Sequence, residues 1–177
     1  EIHASGPAHI SVQLPKPAEE FQDTYVMAFR RIPAEKNNLT GSNAGIRMHP
    51  FVAGAGKLLD GNTGTSAPFN ISKGVAHTID ITAKVSIEAR SILLYPAETR
   101  CKCDIDLLAE TEGEYLPVKS FTFDRSNTSV QVGPITHGPV AISLPTTVSG
   151  SFRLVCKNLV SNAPEAGFSE IVISESA

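Results

Sequence analysis

The sequence predicts an all-β fold, an antiparallel β-sandwich, on three observations. Apolar and polar residues alternate in short runs along the chain, the period-two pattern of strands with one buried face. Turn formers punctuate these runs at spacings of roughly 8 to 12 residues, as in sandwiches of antiparallel strands. No window longer than about ten residues holds apolar positions at helical spacing together with a cap. With 177 residues, 13 Gly and 12 Pro, the chain is long enough for one core and rich enough in special φ values for many tight connections. It is read as a single domain over residues 1–177.

In chain order, Ile10, Val12 and Leu14 alternate with Ser11 and Gln13 and predict a strand that Pro15 and Pro17 end. A second strand is predicted at 24–29. Residues 31–70 contain Pro33, Gly41, Gly45, Pro50, Gly54, Gly56, Gly61, Gly64 and Pro68 and no sustained period, so a long, loop-rich excursion is expected there. Loops of that length are functional or hold themselves together by a specific device. Strands are then predicted at 77–83, 89–95, 101–109, 115–123, 129–132, 140–144, 150–157 and 168–174. The clearest is 101–107, where Cys103, Ile105 and Leu107 alternate with Lys102, Asp104 and Asp106.

A formal net charge of −3 with scattered Lys and Arg supplies no footprint for a phosphate backbone, so no nucleic-acid partner is expected. No membrane partner is expected either, because no apolar run approaches the roughly 20 residues that cross a bilayer. The chain begins at Glu1, which reads as a processed product or a fragment of something longer. Cys101, Cys103 and Cys156 are expected to be small buried hydrophobes, since neighbours on one strand face pair poorly and three thiols cannot complete a disulfide framework.

The order of short motifs resembles a known architecture. His9-Ile10-Ser11-Val12-Gln13-Leu14-Pro15-Lys16-Pro17 and Glu20-Phe21-Gln22-Asp23-Thr24-Tyr25-Val26-Met27-Ala28-Phe29 open the chain. Leu58-Leu59-Asp60-Gly61-Asn62, Ala89-Arg90-Ser91-Ile92, the 106–115 run, Gly150-Ser151-Phe152-Arg153-Leu154 and Ser169-Glu170-Ile171-Val172-Ile173 follow. Together they resemble the galactose-binding-like, jelly-roll sandwich that follows the catalytic barrel in glycoside hydrolase family 106, the α-L-rhamnosidases of plant-polysaccharide-degrading bacteria. The resemblance implies a non-catalytic accessory domain of a secreted or periplasmic enzyme. Its partners would be the catalytic domain of the same parent chain and a plant-derived oligosaccharide. Where discoidin-type and family 32 carbohydrate-binding modules tend to place Trp after the Asp-Gly loop, this chain has Ser66-Ala67-Pro68-Phe69 and no Trp anywhere.

Two candidate sites follow. Calcium takes six to eight hard oxygen ligands on a flexible loop. Asp60, Asn62 and Thr65 offer such oxygens, Gly61 and Gly64 let carbonyls turn inward, and Glu170 can arrive from the last strand. In the sandwiches this chain resembles, a structural Ca2+ clamps the loop to that strand; the alternative is a plain Asp-Gly turn beside a solvated Glu170. Sugar sites pair an aromatic face with a few fixed polar groups, and the candidates are Tyr95, Tyr115, Arg47 and His49, the tyrosines at strand ends and the other two on loops. Paired catalytic carboxylates have only Asp104 with Asp106 and the Glu110, Glu112, Glu114 run to draw on, and these read as a solvated strand face and hairpin. Alternatives to the accessory domain are a free-standing carbohydrate-binding or adhesion module and an independent hydrolase.

Overall fold

A computed structural model describes residues 37–70, 75–126 and 138–176, together with Ser11. Among them run strands β1 (Ala44–His49), β2 (Phe69–Asn70), β3 (His77–Pro96), β4 (Cys101–Thr111), β5 (Glu114–Asp124), β6 (Val140–Ser161), β7 (Glu165–Ala166) and β8 (Phe168–Ser174), with one 3-10 turn at Ala55–Leu59. All of them lie within the unit Ile32–Ala177. The strands predicted at 24–29 and 129–132, and that at 10–14 apart from Ser11, lie outside the described residues.

Every strand pairing among the described residues is antiparallel, in the order β1-β3-β6-β4-β5 with β8 on β3 and a separate β2-β7 ribbon. Two layers arise because β3 and β6 are long enough to belong to both. Residues 77–82 of β3 pair with β1 and with 151–156 of β6, while residues 91–94 pair with β8 and with 140–143 of β6. Between these halves the register slips: Thr82 faces Ser151 but Ile87 faces Ser149, so Ala83, Lys84, Val85 and Ser86 stand opposite little more than Gly150. Such bulges let one strand turn a corner from sheet to sheet. The sequence reading split β3 at this corner and β6 near its own bend, because the extra residues break the two-residue period.

The two layers meet at Phe168, which packs edge-on against Phe123 at 5.0 Å and against Phe69 at 5.7 Å between ring centroids. Edge-to-face pairs add to the roughly 1.5–3 kcal/mol that burial of each such side chain contributes. Around them Ile79, Ile81, Ile105, Leu107, Leu154, Ile171 and Ile173 complete the interior. Cys101, Cys103 and Cys156 are buried and free; burial first, then Cys103, pushes the Cys101 thiol up to about 11, so it stays protonated and behaves as a small hydrophobe.

Within the predicted excursion, residues 37–70 are more ordered than their glycines and prolines suggested. Ala44, Ile46 and Met48 point inward while Gly45, Arg47 and His49 point out, and this alternation pairs with β3 from Ala83 to Thr78. Six residues of period two were hidden because Gly45 sits on the outer phase of the strand, where it interrupts nothing. The 111–114 connection is a two-residue hairpin with Glu112 at φ 53 and Gly113 at φ 87, the left-handed pair that a tight β-turn of matching twist requires.

Candidate functional site

The acidic loop is built by its own side chains. The 3-10 turn buries Leu58 and Leu59, which fixes Asp60 at the loop entrance. One Asp60 oxygen accepts the Asn62 amide at 2.8 Å and the other lies 2.9 Å from the Thr65 hydroxyl; Asn62 Oδ1 accepts the Gly64 amide at 3.0 Å. Gly61, at φ 76, presents its N–H to Glu170 Oε2 at 3.1 Å. Thus Asp60, Asn62, Thr65 and Glu170, 110 residues apart in the chain at the extreme, meet at one place, with the loop fastened to β8. Glu170 is only 4% exposed, and burial, then the charge of Asp60, pushes its carboxyl above the usual range, against a downward pull from the Gly61 amide.

The second feature lies on the outer face of the larger layer. A groove of about 580 Å3 is lined by Gly45, Ile46, Arg47, Asp80, Thr82 and Tyr115. Register explains the set: Gly45 faces Thr82 and Arg47 faces Asp80 across β1 and β3, and Asp80 faces Arg153 across β3 and β6. Arg153 donates from Nε to Asp80 Oδ1 at 2.6 Å and from a terminal nitrogen to Oδ2 at 3.1 Å, and its guanidinium covers one face of the Tyr115 ring at 4.1 Å. The ring therefore has one face left for anything else. Burial and the Asp80 charge raise the Tyr115 pKa, so the phenol remains a neutral donor.

Of the four residues expected to hold sugar, the structure brings Arg47 and Tyr115 into this groove. His49 lies two residues further along β1 on the same outer phase, exposed but outside the lining. Tyr95 does not join them: it sits near the far end of β3, half-buried opposite Glu170. Arg47 and His49 are strand residues rather than loop residues, a correction that follows from β1. Gly45, Asp80, Thr82 and Arg153 were missed, although outer-phase alternation in β1, β3 and β6 is the signal that aligns them. Phe51, 86% exposed, was also missed; it is an aromatic just beyond a strand rather than in phase with one.

The acidic strand residues are tied across the face. Asp104 accepts from Thr122 at 2.8 Å and Asn158 at 2.9 Å, and Asp106 accepts from Ser120 at 2.7 Å and pairs with Lys157. These hydrogen bonds hold both carboxyls below their usual range, the opposite of what a general acid needs. Among the described residues no helix is long and apolar enough to cross a membrane.

No protein-family model and no curated protein sequence matches the chain. Solved structures do. The family 32 carbohydrate-binding module of Clostridium perfringens NanJ, in complex with galactose, superposes with a TM-score of 0.62 at 14% identity, over 78% of this chain and 98% of that one. The fold is that of the family 32 carbohydrate-binding modules. A second family 32 module, CpGH89CBM32-5 from C. perfringens in complex with GalNAc-β-1,3-galactose, gives 0.60 at 14% identity over 77% of this chain and 99% of its own. The C-terminal domain of a chitobiase from Bacteroides fragilis gives 0.55 at 16% identity, covering 77% and 96%. In this chain Phe69, in the stretch where family 32 modules tend to carry Trp, is buried and stacked on His77, so it serves the core of the family 32 fold and presents no surface for a sugar.

Proposed function

We propose that the chain is a non-catalytic carbohydrate-binding module joined to the catalytic domain of a glycoside hydrolase and working outside the cytoplasm, secreted or periplasmic. One observation carries the reading: about three quarters of the chain shares the fold of nearly the whole length of modules solved on galactose-type sugars. The groove lined by Arg47, Asp80, Thr82 and Tyr115 supplies the chemistry such a module uses, an aromatic ring for the apolar side of a pyranose and fixed polar groups for its hydroxyls. The order of motifs along the chain supports an α-L-rhamnosidase-like parent and a plant-derived oligosaccharide as ligand. The oxygens of Asp60, Asn62, Thr65 and Glu170 are the hard donors calcium selects, and the buried Glu170 carboxyl next to Asp60 is a local excess of negative charge that a cation would neutralise. Calcium there would be structural, securing the 60–65 loop to β8.

A glycan array spanning plant and animal oligosaccharides, read with the isolated chain, tests the proposal. Binding to at least one sugar class is expected, weakened about two- to tenfold in Tyr115→Ala, the scale of one aromatic contact. An array without a single bound glycan would end the carbohydrate reading.

A further inference from the structure

The groove carries an unbalanced charge. Asp80 stands directly between Arg47 on β1 and Arg153 on β6, yet both of its oxygens accept from Arg153. Among the described residues Arg47 makes no ion pair, and its side chain is exposed at the groove wall. A planar guanidinium with its donors open is suited to bidentate capture of a carboxylate. Beside it the groove floor is bare: a Cβ built on Gly45 meets nothing within 4 Å. A glycine inside a strand lowers sheet propensity, and one of its uses is close approach of a ligand. At the other end of the groove, next to Tyr115, the hairpin carries Glu110, Glu112 and Glu114, which sets the direction in which an anion would lie.

We propose that this groove recognises a carboxylate-bearing pyranose, a hexuronic acid unit. The carboxylate sits on Arg47, away from the glutamate hairpin, and the ring lies over Gly45. Its hydroxyls reach Thr82 and the lone pairs that Asp80 keeps after serving Arg153, and a neighbouring unit meets the open face of Tyr115. The assignment deepens the carbohydrate-binding reading and rests on it.

Calorimetric titration of the whole chain with trigalacturonate, trimannuronate, the methyl ester of trigalacturonate, galactotriose and 3′-sialyllactose decides it. One of the two uronate trisaccharides is expected to bind at least tenfold more tightly than the ester and galactotriose, with affinity falling as salt rises. Arg47→Gln should remove that tenfold preference of acid over ester. Gly45→Val should abolish binding while the melting temperature holds or rises, since the backbone there is ordinary strand and the space above it is open. Equal binding of acid, ester and galactotriose, or an acid preference that survives Arg47→Gln, overturns the uronate assignment and leaves the sugar-binding reading standing. Preference for 3′-sialyllactose over both uronates overturns the hexuronate part. Failure of every sugar overturns this site and counts against the sugar-binding reading as well.

Discussion

His77 is a titratable side chain held almost entirely out of water. It is 4% exposed, stacked on Phe69 with ring centroids 4.8 Å apart, and placed opposite Cys156. Burial lowers its pKa from the usual 6.5, partly offset by the Asn70 carbonyl, because desolvation penalises the imidazolium. The sign of the consequence follows. Below about pH 6.5 the unfolded chain takes up a proton that the folded chain refuses, so stability drops as pH falls from there towards the folded-state pKa. Glu170 acts oppositely in its own range: its carboxyl is raised above 4.5, so stability is lost as pH rises through that raised value. Comparing urea midpoints of the native chain and His77→Phe between pH 5 and 8 separates the two. The difference between them should widen towards acid in favour of the variant. A difference that stays flat across this range would show that the folded chain takes up the proton at His77 as readily as the unfolded chain does, and that burial does not lower its pKa.

At the level of elements, the loop at 60–65 and strand β8 are joined through a single carboxylate, Glu170 Oε2 on the Gly61 amide. That position has a cost, since burial and the Asp60 charge both disfavour the ionised form of Glu170. Glu170→Gln keeps the acceptor and removes the charge. In chelator at pH 7 the variant is expected to melt at or above the native temperature. With calcium at about a hundred times its dissociation constant the native chain should gain about 2.7 kcal/mol, several degrees for a chain of this size, and the variant little. Native and variant melts that respond identically to calcium would remove Glu170 from the proposed calcium site. The bend at 60–65 was legible because the Asp-Gly and Thr-Gly steps announce a turn, whereas the approach of Glu170, seen in its bond to the Gly61 amide, was implied by the resemblance and not by the residues alone. Strand β4 was legible within a residue or two because one face is buried without interruption, β8 because both of its faces are buried and it reads as a short, nearly continuous apolar run, and β5 because it follows β4 across a tight turn. What was illegible is set by neighbours: β1 looked like loop because Gly45 faces solvent, β3 and β6 looked like pairs of strands because bulges reset their phase, and Tyr95 and Tyr115 looked equivalent because strand ends carry no label for which end of the molecule they occupy.

For the molecule as a whole, the decisive property is that β3 and β6 each run through both layers. Opening the β8 side means breaking Ser91–Pro96 of β3, and that strand is continuous with Thr78–Thr82, which anchors β1 and the C-terminal half of β6. Phe168 of β8 is wedged between Phe69 and Phe123 of β5, so loss of one layer would expose rings belonging to the other. Sheets that share strands and aromatic contacts in this way have no plane along which to separate. Native-state hydrogen exchange should therefore find the amides of Ile105 in β4 and Ile171 in β8 opening with the same free energy and the same denaturant slope, the signature of a single cooperative unit. Were the β8 amides instead to open at a lower free energy with a shallow slope, the bulges at 83–86 and around Leu144 would be acting as hinges between two separately folding layers, and the shared strands would not be what makes the sandwich one unit.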